Sequence, residues 1–201
     1  MNSLFDFIVE PIGQRYSNEV KLGDKSLIIN SKIESYKAVN NIGKVIELPK
    51  TYKTNIKKGD LVMIHHNVFR RFYDMKGREK NSKSYFKDNL FFVQEDQIYL
   101  YKRKDKWKAF QDRCFIAPIR DQVHIHNWVE QNLIGILKYG NSALEALGIN
   151  KGDLVGYKPF GEYDFIVDGK RLYCMKSNDI VIKYEHQGNE VEYNPSWAQS
   201  G

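Results

Sequence analysis

The chain repeats itself, and that restricts its architecture more than any other feature. Lys58-Gly59-Asp60-Leu61-Val62 recurs as Lys151-Gly152-Asp153-Leu154-Val155. Upstream of each pentapeptide stands a matched pair, Ile42-Gly43 and Ile134-Gly135, leading into a short apolar run. Further upstream, Phe7-Ile8-Val9-Glu10-Pro11-Ile12 answers Phe115-Ile116-Ala117-Pro118-Ile119. Downstream, Leu90-Phe91-Phe92-Val93 through Ile98 answers Leu172-Tyr173-Cys174-Met175 through Ile180. Lys-Gly-Asp alone is an ordinary turn, its glycine suited to positive φ and its aspartate to bonding nearby backbone. Four blocks in one order point to duplication of a whole unit.

The blocks read as strands. VIEL, LVMIHH, LFFV and IYLY in the first half, and GILKY, LVGY, DFIV, LYCM and IVIKY in the second, are short and bounded by Gly, Asn, Asp or Lys. Such spacing, with turn residues between, predicts an all-β barrel or sandwich. A 13% aromatic content agrees with that reading. The one helical candidate is Ser142–Leu147, stopped by Gly148. Residues 102–113, KRKDKWKAFQDR, read as a polar linker, and 186–201 as a flexible tail.

Charge is localised. The chain carries a formal +6, but residues 68–87 hold seven basic and two acidic residues and 102–108 hold five and one, so the remainder is net negative. The segment 68–87 also contains Phe69, Phe72, Tyr73, Tyr85 and Phe86. Two readings stay open: an extended hairpin whose aromatics pack between subunits, or a nucleic-acid surface in which bases stack on rings. Two cysteines are too few for a disulfide framework and suit a reducing cytoplasm. The N-terminus lacks a basic leader, and no stretch is apolar enough for a membrane span, so a cytoplasmic protein is expected.

The halves differ in length at two places. Pro11 precedes Gly43 by 32 residues, whereas Pro118 precedes Gly135 by 17; Val62 precedes Leu90 by 28, whereas Val155 precedes Leu172 by 17. The second excess is the basic segment around Arg70, Arg71, Lys76, Arg78, Lys80 and Lys83.

Pro118-Ile119-Arg120-Asp121-Gln122-Val123-His124-Ile125 resembles the opening strand of GroES-type co-chaperonins (proline, aliphatic, any residue, aspartate, arginine, valine). The succession Gly-x-Val, Lys-x-Gly-Asp-x-Val and the ending Leu172–Ile180 resemble the same family, and the likeness covers residues 5–101 and 114–184. It implies two tandem GroES-like β-barrels: repeat 1 over 1–101, repeat 2 over 114–185. In that family a long mobile loop between the first strand and the Gly-x-Val strand carries an aliphatic tripeptide that docks on the chaperonin. The resemblance places that loop at about 17–41, with Leu27, Ile28 and Ile29 as the chaperonin-binding residues. The plain alternative is that SLIIN and the alternating SKIESYKAV pair in an ordinary sheet. Repeat 1 departs from the family at Gly13-Gln14-Arg15, where the aspartate would fall, and repeat 2 has no long loop.

What the resemblance implies is a co-chaperonin that caps a GroEL-like chaperonin ring as a homo-oligomeric ring, ATP being bound by the partner. The rival expectation is a basic β-barrel that binds nucleic acid or serves in structural assembly. No Gly-rich phosphate loop, HExxH or GxSxG motif is present, so neither catalysis nor a cofactor is expected. His65, His66, His124, His126, Cys114 and Cys174 match no zinc spacing, so no metal site is expected and the cysteines read as buried small apolar groups.

Overall fold

The computed structural model describes residues 2–16, 19–22, 25–28, 39–121, 130–186, 188 and 190–198. The chain divides into two compact units, Met1–Lys106 and Trp107–Gly201. Both are built from antiparallel strands, which makes the protein all-β. No helix among the described residues is long and apolar enough to cross a membrane.

Unit 1 contains β1 (Phe7–Pro11), β2 (Glu19–Leu22), β3 (Lys25–Ile28), β4 (Ile42–Glu47), β5 (Leu61–Ile64), β6 (Arg71–Tyr73), β7 (Glu79–Asn81), β8 (Tyr85–Lys87), β9 (Leu90–Val93) and β10 (Ile98–Arg103). Its main sheet runs β10-β5-β4-β1-β9-β8, with β11 (Lys106–Ala109) at the β10 edge, where the chain passes to the second unit. Unit 2 contains β12 (Arg113–Arg120), β13 (Glu130–Tyr139), α1 (Ser142–Ala146), β14 (Leu154–Tyr157), β15 (Tyr163–Val167), β16 (Lys170–Lys176) and β17 (Ile180–Tyr184). Its sheet runs β17-β14-β13-β12-β16-β15.

Written one above the other, the two orders are the same. β1 answers β12, β4 answers β13, β5 answers β14, β9 answers β16 and β10 answers β17. Register matches as well: Pro11 faces Gly43 and Gly43 faces Val62, while Pro118 faces Gly135 and Gly135 faces Val155. Among the described residues neither sheet pairs its two edge strands, so hydrogen bonding leaves both open.

The repeated turn shows why its residues recur. Gly59 and Gly152 adopt φ of 87° and 96°, which a side chain resists. Their N–H groups donate to Val45 O and Leu137 O, both at 2.8 Å. Asp60 Oδ2 accepts from Lys57 N at 2.8 Å, and Asp153 Oδ2 accepts from Asn150 N at 2.7 Å. The last strand of each unit then supplies a cation: Arg103 reaches Asp60 and Lys183 reaches Asp153, each at 2.7 Å.

Cores sit beneath these sheets. Phe7, Val9, Val62, Phe69 and Phe91 are fully buried in unit 1, and Cys114, Ile116, Leu137, Leu144 and Val155 in unit 2. Each large side chain so buried contributes about 1.5–3 kcal/mol. The expected short helix is present as α1. Asn141 Oδ1 accepts from the Ala143 and Leu144 N–H groups, and Gly148 (φ 74°) ends the turn.

Two expected spacers are structured. Residues 102–113 do not form a solvated linker: they hold the end of β10, a turn at Lys104-Asp105 with φ of 49° and 59°, and β11. Strand alternation buries Trp107 between exposed Lys106 and Lys108, and Phe110 is buried as well. The tail expected to be flexible is pinned over its described part. Glu192 bridges to Ile119, Arg120 N donates to Val191 O at 2.9 Å, and Tyr193 N donates to Pro118 O at 2.8 Å. Glu192 also forms ion pairs with Lys138 and Lys170.

Candidate functional site

The two units differ most where unit 1 is longer, and both excess segments leave the sheet at one place. The first begins after Arg15-Tyr16 and returns at Val39-Asn40. Its base is closed by a bridge between Tyr16 and Val39 and by Asn40 N donating to Arg15 O at 2.8 Å. Asn40 Nδ2 donates to Ile12 O at 2.6 Å and Gln14 O at 3.0 Å, and Tyr16 and Val39 are buried. These contacts close the base of the first segment.

Within this segment, β2 and β3 pair as a hairpin, with Val20 opposite Leu27 and Glu19 opposite Ile28. This two-stranded sheet is separate from the main sheet. Leu27 and Ile28 therefore lie in an extended strand outside the main sheet; Ile29 falls outside the described residues.

The second excess segment is a hairpin too, as expected from one reading of 68–87. β6 and β7 pair with Arg71 opposite Asn81, Phe72 opposite Lys80 and Tyr73 opposite Glu79. It is fastened to the stem of the first segment. Arg15 donates through Nε and Nη2 to Phe69 O at 2.9 and 2.6 Å, and through Nη1 to Asn81 Oδ1 at 2.8 Å. The Arg15 guanidinium also lies 5.0 Å above the Phe91 ring. Arg71 N donates to the Tyr16 hydroxyl at 2.6 Å, and Ser82 Oγ donates to Val68 O at 2.5 Å. Arg15 and Tyr16 are thus the residues that join the two segments. The sequence shows Arg15 only as a departure from a motif, because its partners lie more than 50 residues away.

In unit 2 a polar cluster forms where β13 begins. Glu130, where β13 begins, accepts from Arg171 Nη1 and from the Tyr173 hydroxyl, both at 2.8 Å. Arg171 also donates to Asp164 at 2.8 Å and stacks over Tyr173 and Trp197, with centroids 4.9 and 5.5 Å away. Trp197 is therefore tied to its own unit. Burial and the Glu130 carboxylate together raise the Tyr173 phenol above its ordinary pKa, so it serves as a donor.

The remaining candidates among the described residues are not assembled into a site. His65 and His66 stack at 4.4 Å, and burial lowers both pKa values, His66 to about 4, so both are neutral at pH 7. His124 and His126 lie outside the described residues. Cys114 and Cys174 are buried free thiols, and burial raises the Cys114 thiol to about 12. Among the described residues no three His, Cys, Asp or Glu side chains converge as metal ligands. The chain matches no family model and no curated protein.

Proposed function

We propose that this protein is a co-chaperonin: a non-catalytic lid of two GroES-like modules that docks on a GroEL-like ring through Leu27, Ile28 and Ile29. One observation carries the reading. Two units share one strand order and one register, yet only the first extends a long segment between its first strand and its Ile-Gly strand. That segment holds Leu27 and Ile28 in a hairpin outside the main sheet. An extended aliphatic strand on a fixed stem is suited to adding to a partner's surface.

The energetics fit a reversible cap. A hairpin outside the main sheet loses ordering entropy on docking, so one contact stays weak. Several copies in a ring act together through multivalency and release together when the partner changes shape. ATP is bound and hydrolysed by the partner, and the lid encloses the chamber. The second module, which lacks the long segment, widens or completes the cap.

The test is capture of the chain on an immobilised GroEL-type ring in ATP. Wild type is retained and a variant lacking residues 21–41 is not. Equal retention of both removes the docking role of the segment.

A further inference from the structure

The β6–β7 hairpin has two different faces. Side chains alternate along a strand, and directly opposed residues share a face. Arg71, Tyr73, Glu79 and Asn81 therefore lie on one face, and Phe72 and Lys80 on the other. The first face is the one engaged with the stem: Asn81 takes a hydrogen bond from Arg15, and the Arg71 guanidinium lies 5.4 Å over Tyr16. The second face points away from that clamp. Phe72 on it is 42% exposed, with the Arg70 guanidinium 5.3 Å from its ring.

Both acids of the hairpin are engaged internally. Asp74 Oδ1 accepts from Lys76 N and Arg78 N, each at 2.9 Å, shaping the turn, and Asp74 Oδ2 lies 3.8 Å from Lys80. Glu79 lies 3.3 Å from Arg71. Arg70, Lys76, Arg78, Lys83 and Lys87, the positive excess of the segment, form no ion pair with an acid among the described residues. Met75 at the tip is fully exposed and Phe86 on β8 is 40% exposed. Aromatic, Met and Arg side chains in this mixture are what protein interfaces concentrate.

We propose that the outward face of this hairpin is a second docking surface, taking an acidic protein surface beside the groove that receives Leu27, Ile28 and Ile29. The inference rests on the co-chaperonin reading and names the chemistry of that partner's surface. Arg15 and Tyr16 tie the hairpin to the stem from which the long segment departs, which places the hairpin at the root of that segment. Charge on this face speeds and orients the encounter, while the aliphatic strand supplies the apolar contact. Among the described residues, unit 2 has no counterpart of the β6–β7 hairpin.

The experiment measures binding to the source organism's purified GroEL-type ring in ATP at 50 and 500 mM salt. Wild type is compared with Lys76→Glu/Arg78→Glu/Lys83→Glu and with Leu27→Ala/Ile28→Ala/Ile29→Ala, each checked for an unchanged melting curve. Lys76, Arg78 and Lys83 are exposed and outside the clamp. The charge reversal is expected to slow association about tenfold at low salt and to erase most of the salt dependence. Loss of binding in the aliphatic variant, with full binding and unchanged salt dependence in the charge-reversed one, overturns the second surface alone. Failure of wild type to bind the ring overturns both readings. Tight, salt-dependent binding of wild type to a single-stranded oligonucleotide, abolished by the charge reversal while ring binding is untouched, assigns the face to nucleic acid and overturns the proposal.

Discussion

Gly43 lies so close to Val9 that a Cβ built on the glycine would fall 2.3 Å from the valine Cγ1. The same closeness recurs in the second unit, where a Cβ on Gly135 would fall 2.5 Å from Ala117 O. In both units the first strand carries a register shift two to three residues before the residue that faces this glycine, between Ile8 and Val9 in one and between Phe115 and Ile116 in the other. The matched glycines thus report a shared local geometry, the close crossing of two strands, and this is why an Ile-Gly pair recurs.

Gly43→Ala and Gly135→Ala are each expected to destabilise their unit by about 1–3 kcal/mol, the usual cost of overpacking. Gly135→Ala should cost more, since backbone oxygen moves less readily than a valine methyl. Urea melts followed by far-UV circular dichroism measure both. Gly77→Ala, with φ of 71° but open space around it, should cost about 1–2 kcal/mol of local strain only.

Tyr16→Phe leaves the Arg71 N–H without its 2.6 Å acceptor, at a cost of about 1–3 kcal/mol. Arg15→Ala removes the bonds to Phe69 and Asn81 together. Both variants should loosen the β6–β7 hairpin ahead of the core. Limited proteolysis is expected to cut between residues 70 and 83 several-fold faster, with little change in the main thermal transition. Unchanged cleavage rates would show that the hairpin is held by something other than this clamp.

The backbone N–H of Asn150 and the Lys183 ammonium hold the Asp153 carboxyl below the ordinary carboxylate range. A depressed folded-state pKa stabilises at pH above the unfolded value, and the contribution disappears as pH falls through the folded one. Wild type is therefore expected to lose stability from this group as pH drops below about 4. Asp153→Asn should be less stable at pH 7 and show a flatter profile between pH 5 and 3, read from denaturation midpoints.

With its pKa raised to about 12, Cys114 is ionised in on the order of one molecule in 10⁴ at pH 8. Cys174 is buried beside it in the β12–β16 pairing and is shifted in the same direction. A disulfide reagent should find no fast-reacting thiol in the native protein and two in urea. Rapid native reaction of either thiol would contradict the packing of unit 2.

Strand blocks and the duplication were readable because Gly59 and Gly152, Asp60 and Asp153, and Gly43 and Gly135 do work that few other residues can do. Where structure depends on distant partners, reading failed. The charge of residues 102–113 suggests a linker, although Lys106-Trp107-Lys108 alternates as a strand. The polarity of Glu192 and Asn194 suggests a frayed tail; their partners are Lys138, Lys170 and Arg171 on other strands and Gly169 in the β15–β16 turn. Arg15 is the plainest case. Nothing near it in the chain shows that its guanidinium spans to Phe69 and Asn81.

Native mass spectrometry of the chain mixed with a GroEL-type ring, in ATP and in ADP, bears most directly on the lid reading. The expected spectrum contains the ring carrying a discrete set of bound copies, and that species vanishes when Leu27, Ile28 and Ile29 are alanine. Separate ring and chain masses for the wild-type protein in both nucleotides would contradict it.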